Sequence, residues 1–503
     1  MEKTSVNKWL VVGTVMLPTM MEIIDTTVVN VSLPHIQGSL SVGVEEVTWV
    51  LTSYLISNAI IIPMTAWLAS IFGRKRYVLF SISLFTFSSL MCGTASSLSF
   101  LVFFRFLQGL AGGGLQPTSQ AILLESFPLK ERGMAISIYM MGTVMGPTIG
   151  PILGGWITDH WGWRWIFYIN LPVGVISLFM VTFFIFDPAY IKRKIKKIDY
   201  WGLCFLSIGL ASLQTVLDKG HLKDWFSSRF IVVLSVISFS LLVLFVINEI
   251  RTKQPLVQLR IFKKRSYAIG CTIIFLGFFA FFGSVVLLPL YVQKLMGYTA
   301  FLAGLVMGPG AIASIFFLPL VGRLTKFIDA RYLLAIGFMG QLLALYLMSH
   351  FTLQIGFWQI IWPRLIQGAS LAFFFVPLAT VAFMEVKKQE MGNATAIYNL
   401  LRNLGASFGT AIVTTILSRR AQFHQNRLIE HLSPTDIPFQ QSYEQLRHYF
   451  PSDFHALGGI YRELLHQTNM LAFNDAFFFC FFLFLILLPS LIILKKAKKP
   501  FKN

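Results

Sequence analysis

Fourteen apolar windows, several longer than the ~18 residues that mark a membrane-crossing helix, dominate this 503-residue chain. In hydrocarbon an unpaired peptide group finds no water to bond, so only helices and closed barrels cross a bilayer, and uninterrupted apolar runs of this length are helical. The windows lie near 9–33, 46–69, 77–96, 98–124, 133–157, 165–187, 201–217, 229–249, 267–291, 301–322, 332–349, 355–383, 394–417 and 470–494. The fold class read from them is an all-α polytopic membrane protein with 14 spans. Only 13% of residues are charged, against ~25% in soluble domains, which excludes a soluble enzyme. Cys92, Cys204, Cys271 and Cys480 sit inside apolar windows, which excludes a disulfide-stapled secreted domain. The first window follows Lys3 and Lys8 but carries Glu22 and Asp25 and lacks a small-x-small cleavage site, so it reads as a retained span, not a cleavable signal.

The 41 basic and 22 acidic residues leave a net charge of +19, a balance that in a soluble chain points to nucleic acid. Here its distribution points elsewhere. With the N-terminus inside, most lysines and arginines fall in cytoplasmic segments: Lys3, Lys8, Arg74–Arg76, Lys130, Arg132, the run 192–197, Arg251 to Arg265, Arg323 to Arg331, Lys387, Lys388 and the tail from Lys495. Basic residues accumulate on that side of a membrane, so the expected topology is N-in, C-in, with no nucleic-acid partner.

The chain also repeats itself. Arg105-x-x-Gln108-Gly109 recurs as Arg364-x-x-Gln367-Gly368, and Gly133-x-Ala135-x-x-x-Tyr139 as Gly392-x-Ala394-x-x-x-Tyr398, both at an offset of 259 residues. Leu33-Pro34 matches Leu288-Pro289 at an offset of 255. The fourth and fifth spans thus correspond to the twelfth and thirteenth, and the first to the ninth. Two six-helix halves in parallel repetition resemble the major facilitator architecture, whose substrate site lies between the halves near the midplane. Residues 1–190 form one half, 191–262 a basic linker with an inserted pair of spans, and 263–503 the other half.

No nucleotide loop of the Gly-x-x-x-x-Gly-Lys-Ser/Thr type is present, which leaves an ion gradient as the energy source and no cofactor. Intramembrane acids are costly there and mark function by default. Glu22 and Asp25, three residues apart, share one face of the first helix. Asp25 is eight residues from Leu33, so roughly 12 Å below the outer end, and Arg105 reaches a similar depth. Asp25, with Glu22 beside it, is expected to exchange the proton while Arg105 sets how readily it does so; the alternative is a static ion pair joining two helices. Gln108, Arg364, Gln367 and Asn30 are candidates for the substrate cavity. The ninth span offers only Ser284 near the level matching Asp25, so Arg364 contacts substrate or snorkels to the outer interface. Arg402 is expected near the cytoplasmic end as a gate partner, and Asp475 as a solvated acid at a helix start. On the fifth span Gly142, Gly146, Pro147, Gly150, Pro151, Gly154 and Gly155 combine small residues at four-residue spacing with two kinking prolines, the makings of a helix that pivots against a neighbour.

These segments resemble a known family. Asp25-Thr26-Thr27-Val28-Val29-Asn30, the Arg105-x-x-Gln108-Gly109 stretch and the Gly146-Pro147 string are similar to the first-helix, fourth-helix and antiporter motifs of the fourteen-helix drug:proton antiporters (the DHA2 family), EmrB/QacA group, EmrB branch. The resemblance implies a proton-coupled exporter of amphipathic compounds in the bacterial inner membrane, with Asp25 and Arg105 in the coupling. It also implies an EmrA-like adaptor and a TolC-like outer-membrane channel as partners. One motif departs: the loop after the second span ends Leu68-Ala69-Ser70-Ile71-Phe72-Gly73-Arg74-Lys75, with Ser70 where the superfamily carries an acid, so Gly73, Arg74 and Lys75 are retained as gate candidates without that acidic latch.

Residues 418–469 form a long polar segment between the last two spans; the resemblance implies that it contacts the adaptor, and the alternative is a dispensable insertion. Its histidines (His424, His431, His448, His455, His466) lack a compact ligand spacing, so no metal site is expected. No nucleophile–base arrangement supports an enzyme. A dedicated siderophore or metabolite exporter on the same scaffold, and a non-transporting receptor or scaffold, are the competing readings.

Overall fold

A computed structural model describes residues 7–187, 199–430, 432–449 and 452–494; the basic run 192–197, the tail lysines and His431 lie outside them. The described chain is helical, and fourteen helices are long and apolar enough to cross a membrane. The first six are α1 (Lys8–Leu40), α2 (Val44–Phe72), α3 (Arg74–Gly93), α4 (Leu98–Ser126), α5 (Arg132–Trp161) and α6 (Trp165–Phe184). Next come α7 (Tyr200–Lys219) and α8 (Arg229–Arg251). The last six are α9 (Arg265–Lys294), α10 (Leu302–Leu324), α11 (Ala330–Met348), α12 (Phe357–Ala382), α13 (Lys388–Ile429) and α14 (Asp453–Ile493). The end of the bundle bearing Lys8, Arg74 and Arg132 is called the basic end below.

Helix pairing follows the sequence repeat. α1 packs along α5 as α9 packs along α13, α2 along α4 as α10 along α12, α3 against α4 and α6 as α11 against α12 and α14. Between the two groups α5 meets α10 and α2 meets α13. These two contacts exchange under the same repeat, as a pseudo-two-fold axis requires.

Glycines decide how closely the spans approach. α4 breaks at Gly112-Gly113-Gly114 into Leu98–Gly112 and Leu115–Ser126, and a Cβ on Gly112 would stand 3.2 Å from the Glu22 side chain and 3.0 Å from the Tyr54 hydroxyl. The two six-helix groups are tied from the basic end to the middle of the bundle. Asn399 Nδ2 donates to Gln120 Oε1 at 2.6 Å, Arg132 Nη1 to the Phe383 carbonyl at 3.4 Å, and Asn403 Nδ2 to Asn58 Oδ1 at 3.4 Å.

The inserted pair has no counterpart in the pairing scheme. α7 lies on the seam between α2 and α13: Thr52 hydrogen-bonds Asp218, Gln214 Nε2 donates to Ser407 Oγ at 3.2 Å, and Trp225 Nε1, just after α7, donates to Thr415 Oγ1 at 2.8 Å. α8 is among the most apolar and least buried of the spans, with Val236, Phe239 and Ile250 exposed, the composition of a lipid-facing helix.

The polar segment between the last spans differs from a loop. α13 runs 42 residues and α14 has 41; at 1.5 Å per residue each exceeds about 60 Å, twice the ~30 Å hydrocarbon core. They continue beyond the bundle as a helical hairpin, joined through a further helix at Ile437–Tyr449.

Candidate functional site

Asp25 and Arg105 are both wholly buried. Arg105 Nη1 donates to Asp25 Oδ2 at 2.6 Å and to Gln108 Oε1 at 2.7 Å. Asp25 Oδ1 accepts from Gln108 Nε2 at 3.0 Å and from Asn170 Nδ2 at 2.7 Å. Arg105 Nε reaches the Val50 carbonyl at 3.3 Å, and its guanidinium carbon lies 4.2 Å from the centre of the Tyr54 ring. Asn170 in turn donates to Ser89 Oγ at 3.0 Å. A buried ion pair needs partners for its remaining lone pairs and donors; here α2, α3, α4 and α6 supply them for all but Arg105 Nη2, which is buried with no hydrogen-bond partner among the described residues. Asn170, Ser89 and Tyr54 were not singled out from the sequence. Their only signal was polarity inside an apolar window, and Asn170 reads there as an ordinary polar residue near a helix start.

Glu22 does not join this cluster, although three residues apart on a 3.6-residue turn the two acids project about 60° from one another. Its carboxylate accepts from Asn58 Nδ2 at 3.1 Å and from Gln116 Nε2 at 2.6 Å. The same Gln116 side chain accepts from Arg402 Nη2. An amide that donates to a carboxylate at one end and accepts from a guanidinium at the other can take only one orientation, because Arg has no acceptor and an ionised Glu no donor. Glu22 is therefore linked to the opposite six-helix group, while Asp25 is enclosed within its own. The pairing of the two acids in one site is replaced by two sites sharing one helix.

Arg402 thereby departs from its expected place at the cytoplasmic gate: it lies at the level of Glu22, 5.6 Å from the Phe278 ring centre. The other gate candidates stay at the basic end. Gly73, at φ 90°, turns the chain between α2 and α3. Arg74 makes a bidentate pair with Glu125 at 2.7 and 3.0 Å, and Lys75 takes the Asp187 carboxylate on its backbone N–H at 2.8 Å. Ser70 Oγ donates to the Trp67 carbonyl at 2.7 Å within its own helix. The acids at this end, Glu125 near the close of α4 and Asp187 just past α6, were not identifiable by motif.

The glycine–proline string of α5 lies along α1. A Cβ on Gly142 would stand 2.6 Å from Met16 and one on Gly154 would stand 3.0 Å from the backbone of Val28; on Gly146 and Gly150 it would overlap Ile23 and Thr27. Thr27 Oγ1 approaches the Gly146 carbonyl at 3.3 Å. Gly155 meets nothing within 4 Å, and Pro147 and Pro151 are exposed, so these members of the string serve no contact with α1.

Of the remaining candidates, Asn30 is exposed on α1, apart from the Asp25 cluster. Arg364 is 8% exposed and does not snorkel to an interface: its Nη1 donates to Gln367 Oε1 at 2.5 Å and Gln367 Nε2 to Ser284 Oγ at 2.8 Å. Asp475, expected as a solvated helix-start acid, lies well inside α14 and accepts from Arg420 Nε at 2.5 Å, with His424 Nε2 at 2.6 Å. Among the described residues no group of His, Cys, Asp and Glu could hold a metal ion.

Comparison with known proteins adds to this geometry. The family model of the Major Facilitator Superfamily matches residues 15–410. The multidrug export protein EmrB of Escherichia coli strain K12 is 36% identical over 486 residues, 96% of this chain and 94% of its own. The fatty acid resistance protein FarB of Neisseria gonorrhoeae is 35% identical over 97% of this chain and 95% of its own. Among solved structures, the human organic anion transporter MFSD10 superposes with a TM-score of 0.62 at 14% identity, covering 95% of this chain and 99% of its own.

Proposed function

The chain belongs to the Major Facilitator Superfamily, among its EmrB-like multidrug exporters, and on that premise we propose that it is a proton-coupled antiporter that expels amphipathic compounds by alternating access. It is a multi-pass membrane transporter and not an enzyme. The proton gradient drives it, with no bound cofactor, and it resides in a bacterial inner membrane.

The observation that carries the reading is the enclosed Asp25–Arg105 pair, beside an acid, Glu22, linked through Gln116 to the other six-helix group. Protonation of Asp25 removes the charge that holds Arg105, and a guanidinium left unpaired in low dielectric must find another partner. Asp25 and Arg105 sit on α1 and α4, and α1 runs along the glycine face of α5, so a change in their pairing is transmitted to the helix that meets α10. Glu22 and Arg402 report the same event across the midline. In this cycle the arrangement described above, tied together from the basic end to the middle, is the state closed to the cytoplasm.

The relatives, a multidrug export protein and a fatty acid resistance protein, favour amphipathic substrates. The helical hairpin of α13 and α14, with Phe454, Tyr449 and Ile437 exposed, provides a surface for an EmrA-like adaptor leading to a TolC-like channel. The test is transport by the purified chain in proteoliposomes under an imposed pH gradient, screening lipophilic cations, uncouplers and fatty acids beside siderophores. Gradient-driven flux of several amphiphiles is expected. Flux of a single natural metabolite points instead to a dedicated exporter, and gradient-independent flux refutes proton coupling.

A further inference from the structure

The two halves of the repeat carry the same clamp with different contents. In the first half Arg105 Nη1 donates to Gln108 Oε1 at 2.7 Å and Gln108 Nε2 to Asp25 Oδ1 at 3.0 Å. In the second, Arg364 Nη1 donates to Gln367 Oε1 at 2.5 Å and Gln367 Nε2 to Ser284 Oγ at 2.8 Å. Arg364 and Gln367 are the 259-residue repeats of Arg105 and Gln108, and Ser284 accepts from Gln367 as Asp25 accepts from Gln108, so Ser284 occupies the place of Asp25. A second replacement accompanies the first. Gly109 packs against the carbonyl of Tyr54, whose ring covers Arg105; its mate Gly368 packs against the carbonyl of Gly310. Gly310 thus stands where Tyr54 stands, and its Cα is so close to the second arginine that an added Cβ would lie 2.8 Å from Arg364 Nε.

The second arginine has therefore kept its glutamine and lost both its carboxylate and its aromatic cover. Among the described residues Arg364 Nε is buried without a hydrogen-bond partner, whereas Arg105 Nε uses the Val50 carbonyl and only its Nη2 is left unmet. A guanidinium stays charged at any pH the protein meets, and a buried cation lacking a counter-ion is retained against a heavy desolvation cost. The chemistry that completes it is a planar anion presenting two oxygens to the guanidinium fork.

We propose that Arg364, Gln367 and Ser284 form the docking point for the carboxylate of an amphipathic substrate, which supplies in the second half the acid that Asp25 supplies in the first. The proposal rests on the exporter reading above and specifies its substrate class.

The test uses the full-length protein in detergent and in proteoliposomes, with dodecanoate, dodecyltrimethylammonium and acetate as probes. Dodecanoate is expected to bind measurably and acetate at least tenfold more weakly; equal binding of the two overturns the amphiphile assignment. Arg364→Gln is expected to lower the ratio of dodecanoate to dodecyltrimethylammonium affinity at least tenfold. Ser284→Asp, which rebuilds the missing acid while keeping the arginine, is expected to lower that ratio similarly, so a folding defect in one variant does not decide the matter. Unchanged ratios in both folded variants overturn the proposal. If these affinity shifts occur but no probe moves under a pH gradient, the docking site stands and the antiporter reading falls. If dodecyltrimethylammonium moves while neither variant alters dodecanoate binding, the docking site falls and the antiporter reading stands.

Discussion

Asp25→Asn removes the charge of the enclosed pair while preserving its shape, and the geometry sets the consequence. Three donors converge on this carboxylate: Arg105 on Oδ2, Gln108 and Asn170 on Oδ1. An asparagine amide has one oxygen and one NH2 group, so it cannot accept from both sides. With its oxygen toward Gln108 and Asn170, the NH2 faces a buried guanidinium, the case of a broken buried pair that costs about 3–5 kcal/mol. With its oxygen toward Arg105, the guanidinium still loses its counter-charge, and Gln108 and Asn170 lose a charged acceptor, which strands two buried donors at about 1–3 kcal/mol each. Both arrangements leave a buried guanidinium without its counter-charge, so a loss of about 3–5 kcal/mol is expected, read as a lower thermal-inactivation temperature in detergent. Arg105→Gln added to Asp25→Asn should recover part of that loss, because the stranded cation is gone. In proteoliposomes the single variant should lose pH-gradient-driven accumulation while still exchanging substrate across the membrane without a gradient. Accumulation at the wild-type rate, with wild-type thermal stability, would refute both the energetic and the coupling argument.

Three further outcomes are expected. Gly154→Ala should lower stability by about 1–3 kcal/mol through overpacking, since its Cβ meets the Val28 backbone at 3.0 Å; Gly155→Ala should leave thermal inactivation unchanged, having nothing within 4 Å. Equal behaviour of the two would deny that only one side of the string packs on α1. Asn58→Cys combined with Asn403→Cys, at side chains that meet at 3.4 Å, should oxidise to a cross-link that arrests transport until reduced; transport by the cross-linked form would show that the two groups need not part there. Glu125→Gln removes the charge from the bidentate acceptor of Arg74, both side chains being 7% exposed, and should lower the inactivation temperature by an amount partly restored in the Arg74→Gln/Glu125→Gln double variant, measured in a double-mutant cycle. Additive effects would place the two residues in independent roles.

What could be read without coordinates was whatever follows from local chemistry and repetition. Fourteen spans, their helical state and the two-fold correspondence of halves are set by apolar length and the 259-residue offset, because hydrocarbon permits few backbone solutions. The family motifs likewise named Asp25, Arg105 and the α5 string. The assignments that shifted all depended on direction around a helix or on contacts between distant segments. Glu22 and Asp25 share a face at the resolution of sequence spacing, yet 60° suffices to send one toward Arg402 and the other toward Asn170. Arg402 was assigned to the gate from its distance along α13, whereas its partner, Gln116, is 286 residues away. Asp475 looked like a helix start because the apolar window began there, but a helix continues as long as its backbone bonds do, whatever medium its side chains face. Sequence alone determined that this chain crosses a membrane many times and carries charge within it, since the energies involved act residue by residue; tertiary structure alone decided which charges meet, since that is fixed by the angle at which neighbouring helices pack.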